Sequence, residues 1–248
     1  MADPAQSRLP FAVVALALLG LVGAQATLWL SHFYAPTQIT EGSLWVVTPD
    51  RGAPINLYES YRIFFVHLPA AYATAICCGL ALVGGVLWLL SRKPAWEALV
   101  VSAAEVGLFT GAIVLATGTL WGDYAWGSGR LGSGWNWEPR LTTMLILWLA
   151  FAALLVVRRA MDSAAQRSAL TAVYGVLIGP LYPLVSWAVK LFGQFSHPAD
   201  LSGMMSAPEV RTVRNVAQLG VLAALLALVA LRFAWNRLAQ RVEQERST

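Results

Sequence analysis

The residues best suited to chemistry lie at residues 118–142, a stretch rich in tryptophan between two long apolar runs. Trp135 and Trp137 are two positions apart, so they face the same way if the backbone is extended, and Glu138 and Arg140 follow them. Indole faces can stack on a flat ligand, and a guanidinium can pair with its carboxylates. The same indoles could instead form the aromatic belt of a membrane protein, so the pattern alone leaves both interpretations open.

A single histidine near the end of another apolar run is the second candidate. His67 lies in the segment Y-R-I-F-F-V-H-L-P-A, separated by one residue from Pro69. An imidazole at this depth is costly unless it is hydrogen-bonded, and neutral imidazole is also a common ligand of haem iron. The residue alone therefore fits either a bonded core histidine or an iron ligand. A tryptophan-rich stretch on the same side of the membrane favours the ligand.

The composition decides what kind of fold must position these residues. Hydrophobic residues make up 58% of the 248 residues and charged residues only 12%, against roughly 45–50% and about 25% in soluble domains. A polytopic membrane protein made of one helical bundle is therefore predicted, without a separate soluble domain. The formal charge of +4 does not indicate a nucleic-acid partner, because the basic residues mostly flank the apolar runs.

Six apolar runs are long enough to span a bilayer, which predicts an all-α fold with six transmembrane helices. The spans are predicted over residues 11–30, 58–90, 98–120, 141–157, 169–189 and 216–231. Turn-forming residues predict a first loop at 35–57, a second polar loop at 192–214 and a basic tail after the last span. Residues 1–248 are thus predicted to form one membrane domain, with an external tryptophan-rich loop at 121–140.

Basic residues set the predicted orientation of the spans. Most lysines and arginines lie in the two terminal segments and in two short links that hold Arg92, Lys93, Arg158, Arg159 and Arg167. These segments are predicted to be cytoplasmic, which places both termini inside. The tryptophan-rich loop, His67 and His197 are then predicted to face outward.

A few residues inside the spans need a separate interpretation. Glu105 lies about two turns into the third span, where a carboxylate is either functional or kept protonated against a neighbouring helix. Cys77 and Cys78 are adjacent, a poor geometry for a disulfide, and are predicted to pack in the core. Gly179 and Pro180 interrupt an otherwise apolar fifth span.

Three motifs taken together point to a known family. They are Y-R-x-x-F-x-H-L-P-A at residues 61–70, T-G-T-L-W-G at 117–122 and W-N-W-E-P-R-L-T at 135–142. The combination resembles the CcmC branch of the tryptophan-rich haem-handling proteins of cytochrome c maturation. The resemblance implies a bacterial inner-membrane protein, not an enzyme, that presents haem b as transient cargo on the outer, periplasmic face. It also implies two partners, a membrane-anchored periplasmic haem chaperone and an ATP-binding cassette (ABC) transporter.

The resemblance also assigns roles to individual residues. His67 is implied as the ligand of the haem iron. The residues implied around the porphyrin and its propionates are Trp121, Trp135, Trp137, Glu138 and Arg140. Glu138 stands where the family has an aspartate, and residues 127–134 lengthen the loop, so the carboxylate is kept but lies one methylene further out.

The second iron ligand is where the chain departs from the family. Relatives carry a histidine three residues after a proline late in the fifth span, and the position after Pro183 is Ser186. His197 is the predicted replacement, and His32, at the end of the first span, is a weaker one. Ligation by His67 alone is the remaining possibility.

Three other classes stay open at this point. A haem lyase shares the tryptophan motifs but is longer and has more spans. A solute or proton transporter should show polar or broken segments near the middle of the membrane. A structural subunit of the same fold, without haem, is favoured by the serine at position 186.

Overall fold

The computed structural model describes residues 11–34, 45–47, 54–56, 62–125, 137–192 and 208–247. Within these ranges the helices are α1 (Phe11–Tyr34), α2 (Phe64–Ser91), α3 (Pro94–Ala125), α4 (Pro139–Arg159), α5 (Ala164–Ile178), α6 (Leu181–Phe192) and α7 (Pro208–Ser247). Two short antiparallel strands, β1 (Trp45–Val47) and β2 (Pro54–Asn56), pair between α1 and α2, with Val46 opposite Ile55. The prediction that residues 35–57 form no long helix holds for the part of this segment that the structure describes.

Six helical segments are long and apolar enough to cross a membrane, as predicted. Five are single helices, and α5 and α6 together make the remaining span. The helix break falls at Gly179 and Pro180, because proline cannot donate the backbone hydrogen bond that a continuous helix needs. The sequence showed these residues, but the predicted span of 169–189 did not divide it into two helices.

The last helix differs most from its prediction. The span was predicted at residues 216–231 between a polar loop and a basic tail, but α7 begins at Pro208 and continues to Ser247. Its 40 residues measure about 60 Å, twice the hydrocarbon thickness of a bilayer. Proline is favoured at the first turn of a helix, and the tail is rich in strong helix formers. The tail is also anchored, since Gln240 donates to the carbonyl of Pro94 at 3.1 Å.

The centre of the bundle consists of α2 to α5, while α1 packs mainly against α7. Helices α2 and α5 approach so closely that a Cβ at Gly85 would lie 2.5 Å from the carbonyl oxygen of Ala172. Small residues at such a crossing are the usual means of helix association in membranes. Cys77 and Cys78 are free thiols buried in the apolar core, which confirms their predicted packing role.

The bundle has two ends that carry different side chains. The tryptophan end is the end at which α3 finishes and α4 begins, and it carries Trp121 and Trp137. The arginine end is the opposite end, and it carries Arg92, Arg158, Arg159 and Arg167.

Candidate ligand-binding site

A cavity of about 260 Å³ opens inside the tryptophan end of the bundle. Four helices supply most of its walls, each through residues spaced about one turn apart. The lining residues are Ile63, Phe64, His67, Leu68, Ala71 and Tyr72 from α2 and its first turn, Val114, Gly118, Trp121 and Gly122 from α3, Glu138, Arg140, Leu141 and Met144 from α4 and its N-cap, and Tyr182, Val185 and Ser186 from α6. The walls are largely apolar and carry a few convergent polar groups, as ligand sites typically do.

His67 lines this cavity and is also hydrogen-bonded within the protein. Its Nδ1 lies 2.8 Å from Oγ1 of Thr117 on α3. The ring of Phe64 approaches it edge-on at a centroid distance of 6.3 Å. On the α3 side, a Cβ at Gly118 would lie only 3.2 Å from Cε1 of the ring. The imidazole is therefore held by one hydrogen bond and close packing, and it still faces the cavity.

Glu138 and Arg140 enter the same cavity from the start of α4. Glu138 is the N-cap residue of α4 by its backbone and is only 5% exposed, but its side chain makes no capping hydrogen bond. Its carboxylate nevertheless lies at the N-terminus of α4, where a negative charge interacts favourably with the helix dipole. The Arg140 guanidinium interacts electrostatically with Glu138, Tyr182 and the His67 ring. The cavity thus joins a carboxylate, a guanidinium and an imidazole.

Three tryptophans are predicted to contact the ligand, and the two that the structure describes lie in different environments. Trp121 is 6% exposed, lines the cavity and packs against Phe64 at 4.6 Å between ring centroids. Since α3 extends to Ala125, Trp121 lies on a helix rather than in the loop predicted at 121–140. Trp137 is 72% exposed and does not line the cavity. Trp135 lies outside the described residues.

Ser186, His32 and His197 are the positions that bear on a second iron ligand. Ser186 lines the same cavity as His67, from α6. His32 is exposed, lies 3.3 Å from Arg62 through its Nδ1, and is not in the cavity wall. His197 lies outside the described residues. Among the described residues, His67 is thus the histidine in the cavity wall, and Ser186 lines the cavity at the position where the resemblance expects a second histidine.

Glu105 belongs to a different part of the bundle. Its carboxylate accepts two hydrogen bonds from Arg232 on α7, at 2.9 Å and 2.7 Å, and a third from Asn236 at 3.0 Å. The sequence offered a functional carboxylate or a protonated one. The structure instead shows an ion pair that joins α3 to α7, and the partner lies 127 residues away, beyond the reach of local sequence patterns.

Sequence reasoning missed two residues that matter for the chemistry, Thr117, which contacts His67, and Tyr182, which lines the cavity. Thr117 appeared only as part of a motif, and Tyr182 was not singled out. Tyr182, Val185 and Ser186 follow the i, i+3, i+4 spacing of one helical face, so the signal was present in the sequence. It became interpretable only once the break at Pro180 showed where α6 begins.

The chain is similar to known proteins along most of its length. The family model described as Heme exporter protein C (CcmC) matches residues 9–248. Heme exporter protein C of Paracoccus denitrificans is 32% identical over 213 residues, covering 82% of this chain and 83% of that protein. Heme exporter protein C of Escherichia coli K12 is 26% identical over 180 residues, covering 70% of each. A putative cytochrome c biosynthesis ccmC-like mitochondrial protein of Marchantia polymorpha is 28% identical over 160 residues, covering 64% of each.

A match over nearly the whole chain, together with six apolar spans, leaves one conclusion about its relationships. The protein is a multi-pass membrane protein that belongs to the haem exporter protein C family, whose members handle haem in cytochrome c maturation.

Proposed function

We propose that the protein binds haem b transiently, as cargo, in the cavity at the tryptophan end, and presents it on the periplasmic face for transfer. The observation that carries this proposal is the meeting of His67, Trp121, Glu138 and Arg140 in one largely apolar cavity. These residues come from three parts of the chain. His67 supplies an iron ligand, Trp121 an aromatic surface and Arg140 a cation for a propionate, three contacts that a porphyrin needs.

The size of the cavity supports a cargo site rather than a permanent one. At about 260 Å³ it is slightly smaller than the roughly 300–1,000 Å³ of typical small-ligand pockets. A porphyrin would therefore insert in part and keep one edge outside the described walls. In the proposal, Trp135 and Trp137 hold this outer part of the ring. A partly covered haem is easier to hand over than an enclosed one.

The walls of the cavity supply one ligand of the iron. His67 supplies one axial ligand, and Ser186, whose hydroxyl is a poor ligand for haem iron, does not supply the other. We assign the second position to His197, with ligation by His67 alone as the alternative. With either arrangement, the iron receives no ligand from α6.

The proposal includes a location and partners. Residues 1–248 form one membrane domain in the bacterial inner membrane, with the arginine end and both termini in the cytoplasm, as the distribution of arginine and lysine favours. Relatives named heme exporter support a working association with an ABC transporter. Haem passes on to a membrane-anchored periplasmic chaperone, and the protein itself performs no catalysis.

A transporter role is the second candidate, because two observations favour it. The fifth span is broken at Gly179 and Pro180, and Glu105 pairs with Arg232 about 16 Å along α3 from its first residue. Broken helices and ionisable groups at such depth are common in transporters. However, Glu105 is hydrogen-bonded to both Arg232 and Asn236, whereas the polar groups at the tryptophan end surround a cavity. The haem-binding role is therefore preferred.

Haem titration of the purified protein tests the proposal. In detergent, stoichiometric haem should give a Soret band that co-elutes with the monodisperse protein. Absence of a Soret band from well-folded protein would support the haem-free alternatives. Orientation is tested separately with a Ser133→Cys chain, which a membrane-impermeant maleimide should label from the periplasmic side. Labelling only from the cytoplasmic side would contradict the proposed topology.

A further inference from the structure

The hydrogen bonds around His67 determine which ring nitrogen carries the proton. The hydroxyl of Thr117 donates to the carbonyl oxygen of Ile113, one turn earlier in α3, at 2.6 Å. A threonine hydroxyl has one proton, so once it is donated the oxygen can only accept. The contact of 2.8 Å between Thr117 Oγ1 and His67 Nδ1 is then an N–H donated by the imidazole.

The other ring nitrogen is left with its lone pair. In a neutral imidazole with a proton on Nδ1, Nε2 is an acceptor and a metal ligand. No described residue hydrogen-bonds to Nε2, and His67 lines the cavity. Packing restricts the ring further, because Gly118 brings the α3 backbone against Cε1 and Phe64 lies against the ring edge.

We propose that Thr117 is a positioning residue: it holds the proton of His67 on Nδ1 and so presents Nε2 to the haem iron. This inference rests on the proposed function, because it deepens the role of His67 at the same site. Histidines that bind metals usually donate their second ring N–H to a nearby acceptor, which fixes the tautomer and the ring orientation. Here the acceptor is a neutral hydroxyl on the neighbouring helix.

The bundle contains a matched control for this bond. Thr110 lies two turns before Thr117 on α3, and its hydroxyl lies 2.8 Å from that of Thr74 on α2. Thr74 lies two turns after His67, so the two contacts are equivalent cross-links of the same pair of antiparallel helices. Replacing Thr110 with valine removes a hydroxyl from this interface without touching the imidazole.

The experiment compares Thr117→Val, which loses the hydroxyl, Thr117→Ser, which keeps it, and Thr110→Val. The chain has only three histidines, so 15N-histidine labelling in detergent micelles gives few ring signals, and His67→Ala identifies those of His67. Without haem, the wild-type and Thr117→Ser chains should show His67 protonated at Nδ1 and bare at Nε2. Thr117→Val should shift population to the other tautomer, and Thr110→Val should not.

The haem measurement provides the second readout. Thr117→Val should bind haem about 10- to 100-fold more weakly, with an altered Soret band, while Thr117→Ser and Thr110→Val should match the wild type. A wild-type His67 protonated at Nε2, or Thr117→Val and wild-type chains with the same tautomer, would overturn the inference. If the wild-type chain binds no haem, the proposed function fails, and the tautomer measurement still decides whether Thr117 controls His67.

Discussion

The two ends of the bundle use polar side chains in opposite ways. At the arginine end, Glu97 accepts hydrogen bonds from Arg158 and from Ser168, and Arg158 also donates to Thr171 at 3.0 Å. This network joins α3, α4 and α5, and its polar groups hydrogen-bond to one another. At the tryptophan end, imidazole, carboxylate and guanidinium surround an open volume.

The difference indicates where stability and function reside. Buried polar groups that satisfy one another hold helices in register, while polar groups that line a cavity can also contact a ligand. Changes at the arginine end should therefore affect the folded state, and changes at the tryptophan end should affect haem.

The largest expected effect is loss of stability when the arginine-end network is broken. Glu97→Gln removes the buried carboxylate and leaves the half-buried Arg158 without its counter-charge, which should lower the free energy of unfolding by about 3 kcal/mol. The measurement is the fraction of monodisperse protein that remains after heating in detergent. Haem bound per folded molecule should not change, and a haem defect without a stability defect would break the distinction between the two ends.

The control for this prediction is an ion pair at the same end that is exposed. Glu243 pairs with Arg167 at 3.2 Å, and the side chain of Glu243 is 70% exposed. Glu243→Gln should cost less than about 1 kcal/mol, because exposed pairs contribute little.

A smaller effect is expected from the exposed tryptophan beside the cavity. If Trp137 stacks on bound haem, Trp137→Ala should lose about 1 kcal/mol of binding, roughly a fivefold drop in affinity, with the iron-ligand bands unchanged. Replacing Trp135 together with Trp137 should lower haem retention further. Haem titration followed by gel filtration measures both.

Trp29 serves as the matched control. It is also exposed, at 64%, near the same end of the bundle, but on α1. Trp29→Ala should leave haem affinity unchanged. Equal losses from Trp29→Ala and Trp137→Ala would mean that Trp137 belongs to an interfacial aromatic belt rather than to the haem site.

Substitutions of Ser186, which lines the cavity from α6, are expected to affect the fold least. In a His197→Ala chain, which lacks the assigned second ligand, Ser186→His adds an imidazole to the cavity that His67 lines and should shift the Soret and visible bands towards a low-spin haem with two histidine ligands. Ser186→Ala in the same background, which adds no ligand, should keep the spectrum of His197→Ala. If Ser186→His also keeps it, the haem plane does not lie between positions 67 and 186.

The sequence predicted what depends on local patterns and missed what depends on contacts between distant residues. Six spans followed from the apolar runs, and Glu138 and Arg140 followed from one motif. The contact of His67 with Thr117 joins residues 50 positions apart, and that of Glu105 with Arg232 spans 127. No periodicity encodes which residues of two helices meet, because that depends on how closely their backbones pack.

The extent of α7 shows a second reason for the differences. The predicted span ended at residue 231 because the apolar run ends there, although the helix continues to Ser247. Hydropathy marks the part of a helix that lies in lipid, and helix propensity and contacts such as that of Gln240 with Pro94 decide where the helix ends.

The central claim is that His67 binds the iron of haem in the cavity at the tryptophan end. The most direct measurement is the absorption spectrum of haem-loaded His67→Ala, compared with the wild type and with His32→Ala, whose histidine lies outside the cavity wall. His67→Ala should yield the same amount of folded protein, because alanine suits a helix, but should show a changed Soret band and less haem. An unchanged spectrum and unchanged haem content in His67→Ala would contradict the account.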